Sequence, residues 1–209
     1  MAQVFYVHPD NPQSRLMKEA VKVLRDGGVM TYPTDSSYAI GCMIGNKAGM
    51  ESIRTTRGVD EKHHFTLVCR DLSEIAKYAK VDNKQYRFLK HATPGAYTFI
   101  LEATREVPRR LQHPKRSTIG LRVPDNAVVQ ALLAELDEPI LSMTLALPGD
   151  EVPMSDAEEI RDRMEYCVDL IIDAGHCQIE PTTVIDLTGP NPVLVRRGCG
   201  DLKRVGFEE

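Results

Sequence analysis

Hydrophobic residues recur along the chain with two spacings, and each spacing predicts one kind of element. Alternating or continuous apolar runs rich in β-branched and aromatic residues predict strands. The predicted strands are residues 3–8, 29–32, 38–44, 65–69, 97–103, 118–123, 140–145, 168–172, 182–187 and 193–197. Apolar residues three and four positions apart predict helices. The predicted helices are residues 12–26, 48–57, 73–78, 83–91, 127–136 and 156–166.

The order of these elements predicts the fold class. Strands and helices interleave irregularly, and the last strands follow one another without a helix between them. Such an order is typical of a mixed sheet rather than a purely parallel one. No repeat or linker divides the chain. We therefore expect one α/β domain over residues 1–209, with a twisted, mixed, open sheet and flanking helices. Ser155 is the predicted N-cap of the last helix, because Glu158 follows it at the capping-box spacing.

The stretch from Gly27 to Ile44 places polar groups at the end of a buried strand. Its strand runs into a turn of Pro33, Thr34, Asp35, Ser36 and Ser37. Proline has no N–H group, so pairing stops there and the turn presents hydroxyls and a carboxylate at the edge of the sheet. Ligands bind at this edge in open α/β sheets. An ordinary polar turn is the alternative.

Composition limits the class of protein. The 209 residues include 42% apolar residues, which is enough for a sizeable core. Neither a membrane-length apolar run nor a signal-peptide pattern is present, so we expect a cytoplasmic protein with no membrane partner. The five cysteines are scattered and indicate reduced thiols rather than disulfides or zinc. The net charge of −4 argues against general nucleic-acid coating, although the segment from Arg105 to Arg122 is locally basic.

Familiar catalytic motifs are absent, and the candidate chemistry lies in hydroxyl and guanidinium groups at strand and helix ends. His63 and His64 are interpreted as loop residues, and no metal site is predicted. Hydroxyls and guanidinium groups are what a phosphate or carboxylate requires. Pairing of these arginines with surface acids is the alternative. The candidate residues are Thr34, Ser36, Arg57, Arg122, Ser142, Thr144, Thr182, Thr183 and Arg196.

Four segments carry a family resemblance. They are V-M-T-Y-P-T-D-S-S-Y-A-I-G-C from Val29, T-P-G-A-Y-T from Thr93, I-G-L-R-V-P from Ile119, and P-T-T-V-I-D from Pro181 followed by Val195-Arg196. In this order they resemble the YrdC/YciO family of threonylcarbamoyl-AMP synthase-like proteins, with the greatest likeness to the YciO branch. The resemblance covers nearly the whole chain.

The resemblance implies a sheet with a large concave, positively charged face and a role in tRNA modification. It implies that threonine, bicarbonate and ATP, the last with Mg²⁺, are joined to give threonylcarbamoyl-AMP and pyrophosphate. By match, Thr34 would help to hold the threonine, and Arg57 would hold the anionic groups. Ser142 and Thr144 would hold the phosphates, and Thr182 and Arg196 the nucleotide.

Two departures from the family pattern predict a weak or altered activity. The Lys-x-Arg motif of the synthases is Thr55-Thr56-Arg57 here, and their Ser-x-Asn motif is Thr144-Leu145-Ala146. Arg54 lies three residues before Arg57 and is predicted to replace the missing lysine as a nucleotide-binding residue. An alternative function from another class is a double-stranded RNA or tRNA-binding protein that uses the basic face.

Overall fold

The computed structural model describes residues 1–208 and contains ten strands and six α-helices in that range. The strands are β1 (Gln3–Tyr6), β2 (Met30–Tyr32), β3 (Ala39–Met43), β4 (Thr66–Val68), β5 (Tyr97–Glu102), β6 (Thr118–Arg122), β7 (Ile140–Thr144), β8 (Leu170–Asp173), β9 (Thr183–Asp186) and β10 (Val193–Arg196). The α-helices are α1 (Ser14–Arg25), α2 (Lys47–Arg57), α3 (Leu72–Tyr78), α4 (Asn83–Ala92), α5 (Ala127–Leu136) and α6 (Ala157–Met164).

All of these strands belong to one mixed sheet. Its order is β1-β8-β2-β3-β7-β4-β6-β5-β9-β10. The pairs β1–β8, β2–β8, β4–β6 and β5–β9 are parallel, and the other neighbours are antiparallel. The predicted single α/β domain with a mixed open sheet is therefore confirmed.

The two faces of the sheet are covered unequally. On one face, apolar residues of α2, α3, α4 and α6 pack against the inward-facing strand residues in a large core. On the other face, α1 and α5 pack against residues of β2, β3, β7 and β8 in a smaller core. In the part of the chain described, Val68 of β4 still joins this smaller core, whereas no residue of β5, β6 or β9 does.

Side-chain alternation makes this open face polar. Along β5, Tyr97, Phe99 and Leu101 face the large core, whereas Thr98 points to the opposite face. Along β6, the same alternation places Gly120 on the open face. Because successive strand residues point to opposite sides, one side can bury apolar residues while the other presents hydroxyls.

The predicted elements agree with the observed ones to within a few residues, but one cap is wrong. The N-cap of α6 is Asp156, whose side chain accepts a hydrogen bond from the Glu158 N–H at 2.9 Å, and not Ser155. Aspartate serves this position as well as serine, so a one-residue error in register cannot be detected from composition. Short 3₁₀ helices at Arg109–Leu111 and Lys203–Val205 were not predicted.

The helices of residues 1–208 are short. The longest, α1, has 12 residues, and none of the described helices combines the length and the apolar character needed to cross a bilayer. All five cysteines are free thiols.

Candidate functional site

A cavity of about 460 Å³ lies on the open face of the sheet. We call it the central cavity. Its floor is formed by β4, β5, β6, β7 and β9, and Thr66 stands at its middle, paired across the sheet with Gly120 on one side and Ser142 on the other. Small-molecule sites span roughly 300–1,000 Å³, so this cavity is of ligand size.

Positive side chains line the central cavity without negative ones. Arg57, Arg116, Arg122 and Arg196 contribute to its walls, and within residues 1–208 no aspartate or glutamate lines it. Arg116 is an exposed rim residue with its nearest carboxylate, that of Asp186, at 3.8 Å. This surplus of cations, together with hydroxyls on the floor, is the chemistry that binds an anion.

Arg122 is fixed by the turn that follows β2. Its Nη2 contacts the carboxylate of Asp35 in a buried ion pair and donates to Ser36 Oγ at 3.3 Å. The other carboxylate oxygen of Asp35 accepts from the Asp125 N–H at 2.8 Å. The buried Nε of Arg122 has no protein partner among the residues described. One N–H donor of Arg122 is therefore left unpaired within the described part of the protein.

Thr34 holds the turn in shape rather than lining the cavity. Its buried hydroxyl donates to the Ser37 carbonyl at 2.6 Å and accepts from the Ser36 N–H at 3.1 Å. A further contact of 3.0 Å joins it to the Ser36 hydroxyl. Because Ser36 also contacts Arg122, Thr34 is linked to the cavity wall through one intervening residue.

Arg196 and Thr182 form a second polar wall. The Nη2 and Nε of Arg196 donate to the Thr182 carbonyl at 2.9 and 3.3 Å, and the Thr182 hydroxyl lies 2.8 Å from the Thr98 hydroxyl. Burial lowers the pKa of Arg196, and the positive charge of Arg122 adds to this lowering. The guanidinium is thus desolvated beside another cation, a condition that a bound anion would relieve.

Arg57 occupies the wall at the end of α2. Its Nε donates to the Ala146 carbonyl at 3.0 Å, and its Nη1 lies 3.4 Å from His63 Nε2. Burial lowers the pKa of Arg57. Burial also lowers the pKa of His63, and the neighbouring charges of Arg57 and His64 reinforce the effect.

Ser142 on the floor is positioned by a residue from β2. The Tyr32 hydroxyl donates to Ser142 Oγ at 2.7 Å, and Ser142 Oγ donates to the Ile40 carbonyl at 3.3 Å. Burial raises the pKa of Tyr32 to about 12, so its phenol stays protonated and acts as the donor. The bond to the Ile40 carbonyl is long, and the Ser142 hydroxyl donates to a ligand oxygen when its proton turns away from that carbonyl.

The structure brings six of the ten candidate site residues together. The central cavity is lined by Arg57, Arg122, Ser142, Thr144, Thr182 and Arg196. Of the others, Thr34 lies behind the wall, within the turn. Ser36 lies in the turn beside Thr34, and the buried Thr183 hydroxyl donates to the Gly200 carbonyl at 2.9 Å. Arg54 points into a different, adjoining cavity.

Several lining residues were not identified from the sequence. His63, His64 and His113 lie at the mouth of the cavity, where the rings of His64 and His113 are 5.1 Å apart. The only sequence signal for them was the adjacent histidine pair, interpreted there as an ordinary loop. Within residues 1–208 no cluster of three histidine, cysteine or carboxylate residues could hold a metal ion.

The fold and the cavity define an α/β protein that presents a cavity lined by arginines and hydroxyls on the open face of a mixed sheet. The chain belongs to the Sua5/YciO/YrdC family, described as "Telomere recombination", which it matches over residues 22–198. The predicted family is thereby confirmed.

Individual relatives refine this placement. The chain is 58% identical over 203 residues to the uncharacterized protein YciO of Escherichia coli strain K12, covering 97% of this chain and 98% of that protein. The crystal structure of E. coli YciO superposes with a TM-score of 0.93 at 57% identity, covering 98% of this chain and 100% of that chain. The human threonylcarbamoyl-AMP synthase is 28% identical over 192 residues, covering 88% of this chain and 67% of the human protein.

A structure of P. abyssi Sua5 complexed with L-threonine shares the fold. The TM-score is 0.88 at 22% identity, covering 98% of this chain and 60% of that chain. This protein therefore corresponds to one part of the longer Sua5 chain.

Proposed function

We propose that this chain is a nucleotide-binding enzyme of the threonylcarbamoyl-AMP synthase type. The observation that carries the proposal is one cavity lined by Arg57, Arg122 and Arg196 together with hydroxyls, with no carboxylate from residues 1–208. Its family relatives include threonylcarbamoyl-AMP synthases, and a relative of the same fold was crystallised with L-threonine.

The proposed reaction needs little acid or base from the protein. The threonine amine and bicarbonate give a carbamate with loss of water. A carbamate oxygen then bonds to the α-phosphorus of ATP while the bond to the bridging oxygen breaks, and pyrophosphate leaves with the electron pair. Positioned cations favour such a step because negative charge develops where they lie.

Each wall of the central cavity has a proposed part. Thr182 and Arg196 would hold the nucleotide, and Ser142 and Thr144 the phosphates. Arg57 and Arg122 would hold the anionic groups, including the carboxylate of threonine. Thr34 would act on the threonine through the shape of its turn. We propose that Mg²⁺ arrives with the triphosphate. The proposed location is the cytoplasm, where ATP, threonine and tRNA are all present.

The motif departures predict a slow or altered enzyme. Thr55 is exposed on α2, and Ala146 offers only its carbonyl, which accepts from Arg57. At an effective dielectric constant near 20, a cation about 4 Å from an anion contributes about 4 kcal/mol before desolvation. If half of this survives desolvation, the missing lysine costs about 2 kcal/mol, or more than tenfold in rate.

Calorimetry with ATP, threonine and bicarbonate, added singly and together, tests the proposal. We expect ATP to bind alone, and pyrophosphate to be released only when all three are present. Arg196→Ala should weaken ATP binding about tenfold, because the Arg196 guanidinium lies in the cavity wall. Arg105→Ala removes the same charge from a residue outside the cavity and should leave binding unchanged. Absence of ATP binding would refute the nucleotide-binding function.

A double-stranded RNA or tRNA-binding function is the second candidate. It is favoured by the exposed cations Arg109, Arg110, Lys115 and Arg116 on the segment beside the cavity. RNA affinity that falls steeply with salt and ignores threonine and bicarbonate would support it.

A further inference from the structure

A second cavity, of about 960 Å³, adjoins the central cavity. We call it the annex cavity. The two cavities share a wall formed by His63, His64, Phe65, Leu111 and His113. The rest of the annex cavity is formed by the end of α2, the loop before β4 and the segment around the first 3₁₀ helix.

The annex cavity is strongly cationic. Among the residues described, five side chains with a formal positive charge line it, and Glu61 contributes the one carboxylate. The five cations are Arg54, Lys62, Arg109, Arg110 and Lys115. In the part of the chain described, none of the five has a carboxylate oxygen within 4.0 Å. Pairing with surface acids therefore does not account for these five cations.

Arg54 forms the inner part of this cavity and is held in place. Its guanidinium carbon lies 5.3 Å from the ring centroid of Phe65, a cation–π arrangement. Its Nε is buried and has no protein hydrogen-bond partner among residues 1–208. A buried guanidinium N–H without a partner is costly unless a ligand accepts from it.

The last turn of α2 supplies one cation to each cavity. Arg57 donates to the Ala146 carbonyl at the central cavity, whereas Arg54 lies against Phe65 in the annex cavity. Both cavities also border His63, which lies 3.4 Å from Arg57. A ligand with anionic groups at two positions along its length could therefore contact both sets of cations.

We propose that the annex cavity binds a condensed phosphate. The source would be either free pyrophosphate or the β- and γ-phosphates of a triphosphate whose nucleoside and α-phosphate lie in the central cavity, the α-phosphate at Ser142 and Thr144. This second source rests on the proposed function. A condensed phosphate carries several negative charges in a small volume, which matches cations that converge on a cavity from three segments.

Calorimetric titration with pyrophosphate tests the binding site without any assumption about catalysis. We expect the double variant R109Q/R110Q and the single variant R54Q each to bind pyrophosphate about tenfold more weakly than the parent protein. Arg109 and Arg110 are exposed, so their replacement leaves the core intact. Arg105→Gln is the matched control, since it lies in the same segment, is exposed and lines neither cavity. Unchanged pyrophosphate affinity in both variants overturns the proposal.

Comparison of ATP with AMP then separates the two sources. If the annex cavity receives the outer phosphates of bound ATP, R109Q/R110Q weakens ATP binding about tenfold and leaves AMP binding unchanged. If the annex cavity receives free pyrophosphate only, R109Q/R110Q keeps the parent's affinity for both ATP and AMP but binds pyrophosphate more weakly. A protein that binds pyrophosphate here but fails to bind ATP refutes the proposed function alone. If these variants lose RNA binding but keep the pyrophosphate affinity of the parent protein, the surface binds RNA instead.

Discussion

Arg122 and Asp35 form an ion pair in which both side chains are buried, with exposed fractions of 8% and 9%. The two residues are 87 positions apart in the sequence, and their contact joins the turn after β2 to the end of β6. Asp35 also accepts from the Asp125 N–H. The pair therefore fixes the turn, one wall of the central cavity and the start of α5 relative to one another.

Removal of Asp35 should destabilise the protein strongly. Asp35→Ala leaves the Arg122 guanidinium buried and uncompensated, which typically costs about 3 kcal/mol or more. Denaturant unfolding of the variant and the parent measures this loss. The exposed Lys80–Glu102 pair is the matched comparison, and Glu102→Ala should cost less than about 1 kcal/mol. Equal losses in the two variants would show that the buried pair contributes no more than a surface one.

Ser142 and Tyr32 should give unequal effects when one partner is removed. Ser142→Ala leaves the Tyr32 hydroxyl buried without its acceptor and should cost about 2 kcal/mol. Tyr32→Phe leaves Ser142 with the Ile40 carbonyl as its acceptor and should cost about 1 kcal/mol. Unfolding measurements on both single variants and the double variant give the coupling. A larger loss in Tyr32→Phe than in Ser142→Ala would contradict this account of the hydrogen bonds.

Gly120 should control access to the cavity floor without controlling stability. A Cβ atom there would lie 3.3 Å from Thr66 Oγ1 and 3.4 Å from Thr98 Cγ2, contacts that small shifts can absorb. Gly120→Leu therefore projects a large side chain over the floor. We expect at least tenfold weaker ATP binding, with a change in unfolding free energy below about 1 kcal/mol.

Calorimetry and denaturant unfolding of Gly120→Leu check both halves of this prediction. The control is Gly189→Leu, at a position where a Cβ would meet only the Asn191 carbonyl oxygen, at 3.8 Å. It should leave ATP affinity unchanged. Normal ATP affinity in a folded Gly120→Leu variant would place the nucleotide elsewhere.

Anion binding should strengthen as the pH falls below about 6.5, the ordinary pKa of histidine. The pKa of His63 is lowered by burial, then by Arg57, His64 and Arg196, and is raised only by Asp60. A bound anion raises the pKa of His63 back toward the ordinary value for histidine. Binding is therefore accompanied by proton uptake at pH values between the lowered pKa of the free protein and that ordinary value.

His64 is expected to contribute to the same pH dependence. Its pKa is lowered by burial and then by His113. Without a ligand, the native protein binds fewer protons than the unfolded chain in this range, so stability rises with pH up to about 6.5 and then levels off. Phosphate ligands also change their protonation in this pH range. The check is therefore a comparison of anion affinity between the parent and the double variant His63→Gln/His64→Gln at each pH. Equal increases in affinity on acidification would assign the effect to the ligand.

Local patterns predicted the elements well because each element is set by its own residues. The strand before Pro33 and the hydroxyls after it lie where the apolar run and the proline indicate. The order of strands in the sheet is a different matter, since it depends on contacts between distant segments. Tyr32 reaches Ser142 because β3 lies between β2 and β7, and nothing in either segment encodes that neighbour.

The sequence predicted which residues line the central cavity better than it predicted how their side chains are arranged. Arg122, Ser142 and Arg196 do meet at one cavity, as their positions at strand ends and the family resemblance implied. Helical spacing suggested that Arg54 shares a face with Arg57, but stacking on Phe65 turns its side chain into the annex cavity. The direction of the Arg54 side chain depended on Phe65, an aromatic residue just before β4, and spacing along α2 carries no information about it.

The uneven coverage of the sheet has a consequence for how ligand and protein depend on each other. Helices α1 and α5 shield only part of one side, so a bound molecule would complete a layer that the polypeptide itself does not supply. Threonines such as Thr66 and Thr98 could then be exchanged for valine with little harm to folding, while recognition is lost. In this architecture, a floor residue such as Thr66 can change without endangering the scaffold, whereas Ser142 and Arg122 serve the ligand site and the fold together.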